Sequence, residues 1–288
     1  MEKNQYIKSP LNYTGGKYKL LDILIPTFPS NISTFVDLFA GGGNVGINVD
    51  ANEIIMNDQI TYLVELYRYL QAIPYEEIIG NIYDCIKKFN LSKENREGYV
   101  ELRRFYNESK EKNPLLLFVL TCYSFNHQIR FNNSHEFNAT FGKSRSSYNS
   151  SIENNLIAFC NALKAKNVKL SNLDFRSVDM TLLDKKSFVY CDPPYLLSTS
   201  AYNDGNRGFK NWTASDDADL FGVLDELNRN HIKFALSNVL QHKGQYNEAL
   251  MRWSENYNVY FIDKSYENCS YNLKDRTAET VEVFITNY

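Results

Sequence analysis

The sequence predicts a doubly wound α/β fold: an open, mostly parallel sheet with helices on both faces, interrupted by one insertion. Three observations predict it. Residues 34–39 form a short apolar strand that runs into the glycine-rich turn Ala40-Gly41-Gly42-Gly43-Asn44-Val45-Gly46. Residues 53–58 form a second apolar strand ending in an acid. Residues 186–191 form a third, stopped at once by Asp192-Pro193-Pro194-Tyr195. The alternation of strands and helices lapses only in residues 71–150.

Composition sets the outer bounds. At 288 residues, with 43% hydrophobic and 23% charged side chains, the chain has the balance of a globular α/β protein. No apolar run approaches the ~20 residues of a membrane helix, and the first six residues lack a signal-peptide core. The five cysteines (Cys85, Cys122, Cys160, Cys191, Cys269) are scattered and form no CxxC pair. That predicts reduced thiols, a cytoplasmic location and no structural zinc. The four histidines are dispersed too, so no metal site is expected. A net charge of −3 gives no global attraction for polyanions, so phosphate contacts would need local basic patches.

In chain order, Tyr13-Thr14-Gly15-Gly16-Lys17 comes first. Two glycines before a lysine can bring backbone and an ammonium close to an anionic ligand. A short helix at 20–25 stops before Pro26. Strand 34–39 follows. Gly41, Gly43 and Gly46 satisfy G-x-G-x-x-G at an expected strand-to-helix turn, where glycine lets a nucleoside approach the backbone. Asp58 ends strand 53–58, 21 positions after Asp37, near the spacing of an acid that binds ribose hydroxyls. A helix at 59–72 carries Leu63, Leu66 and Leu70 on one face.

The βα alternation lapses at Ile73-Pro74. Helices are expected at 75–89, 93–111 and 114–123. Residues 124–145 then alternate polar and aromatic side chains about Asn132-Asn133-Ser134, which reads as a hairpin. Phe125, Asn126, Gln128, Arg130, Asn138, Lys143 and Arg145 give this stretch the side chains that pair with base edges, fill a vacated base stack or meet phosphates. A helix at 151–166 resumes the alternation, followed by strand 168–171 and Asp174-Phe175. After Asp192 comes a loop in which Tyr202, Arg207, Phe209, Lys210 and Trp212 interleave aromatic and basic side chains. A helix at 216–228, a strand at 232–237, a helix at 245–255 and strands at 258–263 and 280–287 complete the chain. The expected organisation is residues 1–70 with 151–288 as one sheet domain and 71–150 as an inserted recognition domain.

Asp192-Pro193-Pro194-Tyr195 explains itself chemically. The prolines end the ladder, because neither donates an N–H. The strand end then offers a carboxylate, rigid carbonyls and an aromatic ring, which suits a planar amine: acceptors for its N–H groups and a ring for its face.

Taken together, these motifs in this order resemble the Dam-type (alpha group) DNA adenine-N6 methyltransferases. Tyr13-Thr14-Gly15-Gly16-Lys17 is similar to that family's first cofactor motif, Asp37 to Gly43 to its glycine turn, Asp174-Phe175 to its adenine-side motif, and Glu282 to Tyr288 to its terminal strand. The resemblance implies a Rossmann-like class I methyltransferase fold, with a seven-stranded, mostly parallel sheet whose last strand is antiparallel. It implies S-adenosyl-L-methionine as methyl donor and adenine flipped from double-stranded DNA as acceptor, without metal. By the same resemblance Asp192, Pro193, Pro194 and Tyr195 are catalytic. Tyr13, Gly15, Gly16, Lys17, Asp37, Phe39, Ala40, Gly41, Gly43, Asp58, Asp174, Phe175 and Asp192 hold the cofactor, with Lys17 on its carboxylate and Asp58 on its ribose. Phe125, Asn126, Gln128, Arg130, Asn138, Lys143, Arg145, Arg207 and Lys210 meet DNA, Phe125 filling the vacated stack and Arg130 reading a guanine. A monomer is expected, working beside a cognate restriction endonuclease or as a phage or orphan enzyme. Tyr13 stands where the family often has Trp, Asn12 where it has Lys. His127-Gln128 and the loop 203–208 depart from the GATC-specific members, which leaves the recognition site open.

Three other readings use parts of the pattern. A nicotinamide-dependent oxidoreductase would use the glycine turn and Asp58 but not Asp192-Pro193-Pro194-Tyr195. An RNA or protein-amide methyltransferase poses the same amine problem without the recognition hairpin. A silent DNA-binding protein on the same fold would have no use for Asp192 and Lys17.

Overall fold

The computed structural model describes residues 6–197, 202–203, 209–210, 212–262 and 280–288. Strand β1 (Ile32–Asp37) pairs in parallel with β2 (Ala51–Asn57) on one side and β4 (Phe188–Cys191) on the other. β3 (Val168–Ser171) lies outside β2, and β7 (Lys233–His242) lies outside β4, both parallel. Then β10 (Thr280–Thr286) runs antiparallel between β7 and β9 (Asn258–Ile262). The order is β3-β2-β1-β4-β7-β10-β9, with the two-residue β8 (Gln245–Tyr246) folded back on the end of β7. β5 (Tyr202–Asn203) and β6 (Phe209–Lys210) pair separately. Arg207 lies outside the described residues, and the Lys210 side chain is not described.

Period-two alternation splits the core between the two faces. Phe35, Phe188 and Tyr190 face one cluster, while Val36, Val189 and Cys191 face the other. The first cluster takes α2 (Thr61–Ala72), α3 (Tyr75–Lys88), α4 (Arg96–Glu108), α5 (Pro114–Tyr123) and α6 (Ser150–Ala165). The second takes α7 (Ala214–Arg229) and α8 (Glu248–Ser254). α5 is apolar all round and buried from Leu117 to Tyr123; Pro114 opens it and the Asn113 side chain accepts the Leu115 N–H. Helices α3 to α5 therefore share the core of the sheet: Ile78, Tyr99 and Leu102 belong to the same cluster as Phe35 and Ile54.

Three sequence expectations change. The glycine turn opens no α-helix, only a 3₁₀ turn at Gly46–Asn48 before β2 begins. Asp37 Oδ2 accepts the Gly46 N–H at 2.9 Å, and the Asn48 amide exchanges hydrogen bonds with the Ile7 backbone. These bonds hold the segment as a tight turn. The short helix expected before Pro26 is instead 3₁₀ at Lys17–Leu20, α1 at Leu21–Leu24, then 3₁₀ at Ile25–Thr27, because proline fits a second helical position. The helix expected from 245 starts at Glu248. Lys243 and Gly244, both at positive φ, form a two-residue hairpin turn that sends Gln245–Tyr246 back along β7.

Candidate active site

The carboxyl ends of β1, β2, β3 and β4 meet at one edge. Register sets Asp37 against Met56 and Tyr190, and Asn57 against Ser171. Chain order reverses at β1, the switch point where open α/β sheets bind ligands. There a cleft of about 260 Å³ opens, lined by Tyr13 to Lys17, Ala40 to Gly42 with Asn44 and Val45 of the glycine turn, Asp58, Asp174-Phe175 and all four residues of Asp192-Pro193-Pro194-Tyr195.

One end of the cleft is a tight ionic knot. Lys17 Nζ donates to Asp192 Oδ1 at 2.7 Å and to Oδ2 at 2.6 Å. It also donates to the Tyr195 hydroxyl at 2.8 Å, and that hydroxyl donates to Asp192 Oδ1 at 2.8 Å. Lys17 is 8% exposed and Asp192 18%, so the pair is shielded while the carboxylate still faces the cleft. The turn that aims Lys17 closes with a Gly16 N–H to Tyr13 carbonyl bond at 3.1 Å. Its third residue, Gly15, has φ +78°, which glycine adopts at no steric cost. The resemblance assigned Lys17 to the cofactor's carboxylate; here its ammonium grips Asp192.

A second part of the lining is carboxylate and backbone. Asp58 Oδ2 accepts the Gly41 N–H at 2.8 Å and Oδ1 the Ile60 N–H at 2.9 Å. Burial pushes its pKa up to about 6, against those two bonds. Asp37 is pushed up to about 7, by burial first and then by the neighbouring carboxylates Asp192 and Asp58. Tyr67, from α2, donates to the Gly41 carbonyl at 2.6 Å and braces the turn. Gly43 was expected to touch the cofactor but lies beneath the cleft: a Cβ there would meet Met56 and Phe159 at 2.9 and 3.0 Å. Its freedom serves packing, and Gly42, Asn44 and Val45 line the cleft instead.

Aromatic rings and one arginine complete the wall. Trp212 is buried, with ring centroids 5.6 Å from both Phe39 and Phe175. Sequence reasoning set Trp212 in the aromatic-basic loop. The structure turns it inward, where its indole N–H meets buried Asp217 at 2.7 Å and Asn247 donates to the other oxygen at 2.8 Å. Arg176 went unnoticed in the sequence. Its guanidinium lies over Phe175 at 4.3 Å and binds Asp174, Asp216 and Asp219 at 3.1, 2.6 and 2.7 Å. It thereby ties the Asp174-Phe175 segment to the first turn of α7.

None of the recognition residues predicted on the segment 124–145 lines this cleft. The hairpin exists in reduced form, with bridges Ser124 to Phe141 and Phe131 to Phe137. Helix α4 supports it: the Asn107 side chain donates to the Phe137 carbonyl and accepts its N–H, and Tyr99 donates to the Ala139 carbonyl. Gln128, Arg130, Lys143 and Arg145 are exposed. Arg130 Nε donates to Asn138 Oδ1 at 2.8 Å, and Arg145 lies over the exposed Phe125 ring at 5.5 Å.

Fold and site thus define an α/β protein with a cleft at the carboxyl edge of its sheet and a carboxylate, Asp192, at a strand end lining it. A family model of the D12 class N6 adenine-specific DNA methyltransferases matches residues 13–278. The chain belongs to that family. It is similar to the type II methyltransferase M.FokI of Planomicrobium okeanokoites, with 50% identity over 99% of this chain and 43% of the relative. The modification methylase StsI of Streptococcus sanguinis is 46% identical over 99% of this chain and 43% of its own. The DNA adenine methylase of Escherichia coli (strain K12) is 29% identical over 83% of this chain and 82% of its own. The chain therefore spans less than half the length of the first two relatives. Membership of a methyltransferase family implies S-adenosylmethionine as the methyl donor. Among the described residues no helix is long and apolar enough to cross a membrane, and no group of acidic, histidine or cysteine side chains could hold a metal ion.

Proposed function

We propose that this chain methylates the exocyclic N6 amine of an adenine flipped out of duplex DNA, as a modification enzyme paired with a restriction endonuclease. The observation that carries the reading is a shared cleft: the acceptor carboxylate Asp192 and the nucleoside-side acid Asp58 line one cavity. An oxidoreductase would need only the second.

The residues fit the methyl donor. Five carboxylates (Asp37, Asp58, Asp174, Asp192, Asp216) line the cleft against two cations (Lys17, Arg176), three formal negative charges in excess. That suits a cationic ligand. Each Asp58 oxygen has one backbone donor and a lone pair to spare, which suits a ribose diol. When bound, S-adenosylmethionine supplies an electrophilic methyl on a sulfonium. Phe39, Phe175 and Trp212 would enclose its adenine, and Tyr13 and the Gly41-Gly42 backbone its middle.

The acceptor amine is a poor nucleophile, since its lone pair is delocalised into the ring. Asp192 and the Pro193 carbonyl would accept its two N–H bonds, localise the lone pair and aim it across the cleft. Asp192 Oδ2 has Lys17 as its hydrogen-bond donor and keeps a second acceptor position. Tyr195 would cover the ring face. The target atom is unreachable inside a duplex, so the base must leave the stack. Phe125 would fill the gap and Arg130 would read a guanine, with Asn126, Gln128, Asn138, Lys143 and Arg145 around them. The aromatic-basic exposure of that segment supports this.

The test is transfer of labelled methyl from S-adenosylmethionine to unmethylated genomic DNA, followed by nucleoside analysis and mapping of modified adenines. N6-methyladenine in one fixed sequence context is expected. Label confined to RNA or protein would overturn the substrate, and cofactor binding with no label anywhere would overturn the reaction.

A further inference from the structure

We infer that Asn12 is a positioning residue that transmits the state of the cofactor cleft to the loop bearing Phe125; this rests on the function proposed above. The Asn12 side-chain amide donates to the Asn126 backbone carbonyl at 3.0 Å, across 114 positions of sequence. On one side of Asn12 is the cleft. Tyr13 packs so closely on the glycine turn that a Cβ on Gly42 would come within 2.9 Å of Tyr13 Cβ, and one on Gly41 within 3.0 Å of its ring. Tyr13 also lines the cleft, so a ligand seated there fixes its position and that of the adjoining Asn12.

On the other side is a loop held in a costly conformation. Asn126 and His127 are consecutive non-glycine residues at φ +53°. Such backbone persists only where surrounding contacts impose it, and it concentrates at sites that move. His127 Nδ1 is buried without a hydrogen-bond partner, a second cost of this arrangement. The loop's own bonds are Phe125 N–H to the Thr140 carbonyl at 2.7 Å, His127 N–H to the Ser124 carbonyl at 3.0 Å and Gln128 N–H to the Phe125 carbonyl at 3.3 Å. The Asn12 amide holds the carbonyl of Asn126, the first of the two strained residues. Phe125, next in line, is 39% exposed, a large apolar ring presented to whatever the loop meets.

A contact that depends on cleft occupancy and holds a strained loop couples the two, and the coupling is reciprocal. Ligand in the cleft steadies Asn12, Asn12 steadies Asn126, and Phe125 is presented when donor is in place. The base would then be drawn out mainly in a complex ready to react.

The experiment is amide hydrogen exchange of the peptide covering residues 124–128, with and without S-adenosylhomocysteine, for the wild type, Asn12→Asp, Asn12→Ala and Asn12→Gln. Asn12→Asp keeps the shape and removes the donor. Ligand should slow exchange at this peptide about fivefold in the wild type, by less than about twofold in the Asp and Ala variants, and to an intermediate degree in Asn12→Gln. Ligand affinity should stay within about threefold in all four. Thermal unfolding checks that each variant is folded, and Asn12→Gln, which keeps an amide donor, carries the test should the others unfold. Equal slowing in wild type and variants would overturn the role of Asn12. So would ligand binding to the wild type without any slowing. A wild-type chain that fails to bind S-adenosylhomocysteine would instead overturn the function on which the inference rests.

Discussion

The Lys17 ammonium bridges both carboxylate oxygens of Asp192, at 2.7 and 2.6 Å, across 175 positions of sequence. The pair joins the first motif of the chain to the strand end that would grip the acceptor. It fixes the carboxylate's orientation while leaving it 18% exposed toward the cleft. A partly buried pair of this kind costs more to break than it contributes, because removing one member strands the other.

That asymmetry gives the first prediction. Lys17→Met and Asp192→Asn should each destabilise the fold by about 1–3 kcal/mol, and the double variant by less than their sum. A double-mutant cycle in urea checks this, and strict additivity would show the two groups to be independent.

Asp192→Ala should abolish methyl transfer while cofactor affinity changes by no more than about tenfold, because the carboxylate is aimed at the acceptor. Single-turnover transfer and equilibrium dialysis separate the two effects. Normal turnover in this variant would rule out the amine-gripping role.

Arg130 already spends its Nε donor on Asn138 Oδ1 and an Nη2 donor on the Asn138 carbonyl at 3.2 Å, which orients the guanidinium and leaves the Nη1 donors to read with. Arg130→Ala should cost about 1–3 kcal/mol at one base of the recognition site and relax preference there. Methylation of a randomised-site library measures it, and an unchanged preference would remove Arg130 from the readout.

Stability and cofactor binding should respond oppositely to pH. Asp37 and Asp58 have native pKa values of about 7 and 6, above an ordinary 3.8. Between about pH 4 and 7 the folded chain holds protons that the unfolded chain has released, so these two groups make stability fall as pH rises through that window. A cationic ligand favours the ionised forms, so cofactor affinity should climb over the same range. Melting temperature and calorimetric affinity against pH test both signs, and Asp37→Asn or Asp58→Asn should flatten the stability profile.

Trp212 packs against Phe39 and Phe175 and donates to buried Asp217. Trp212→Ala should lower stability by roughly 3 kcal/mol and weaken cofactor binding, while Trp212→Phe keeps most of both. With Trp253→Phe as background, the one remaining indole should report cofactor binding by fluorescence. No change on saturation would place the ligand away from this wall.

Much of this was legible in the sequence, because it is written locally. Short apolar runs marked β1, β2 and β4, helical spacing marked α2 and α6, and the two prolines marked where β4 stops. Glycines and acids at strand ends marked the cleft, since an open parallel sheet brings its carboxyl ends to one edge whatever the loops do. The tertiary structure alone decided what depends on distant partners. It paired Lys17 with Asp192, turned Trp212 inward onto Asp217, made Arg176 a hub for three aspartates and set Gly43 beneath the cleft rather than in it. It also joined Asn12 to Asn126. These contacts link positions separated by up to 175 residues, or depend on which way one side chain points from an irregular segment. Periodicity and motif spacing constrain backbone class and strand ends; the pairing of charges and amides across the fold is fixed only when packing brings the segments together.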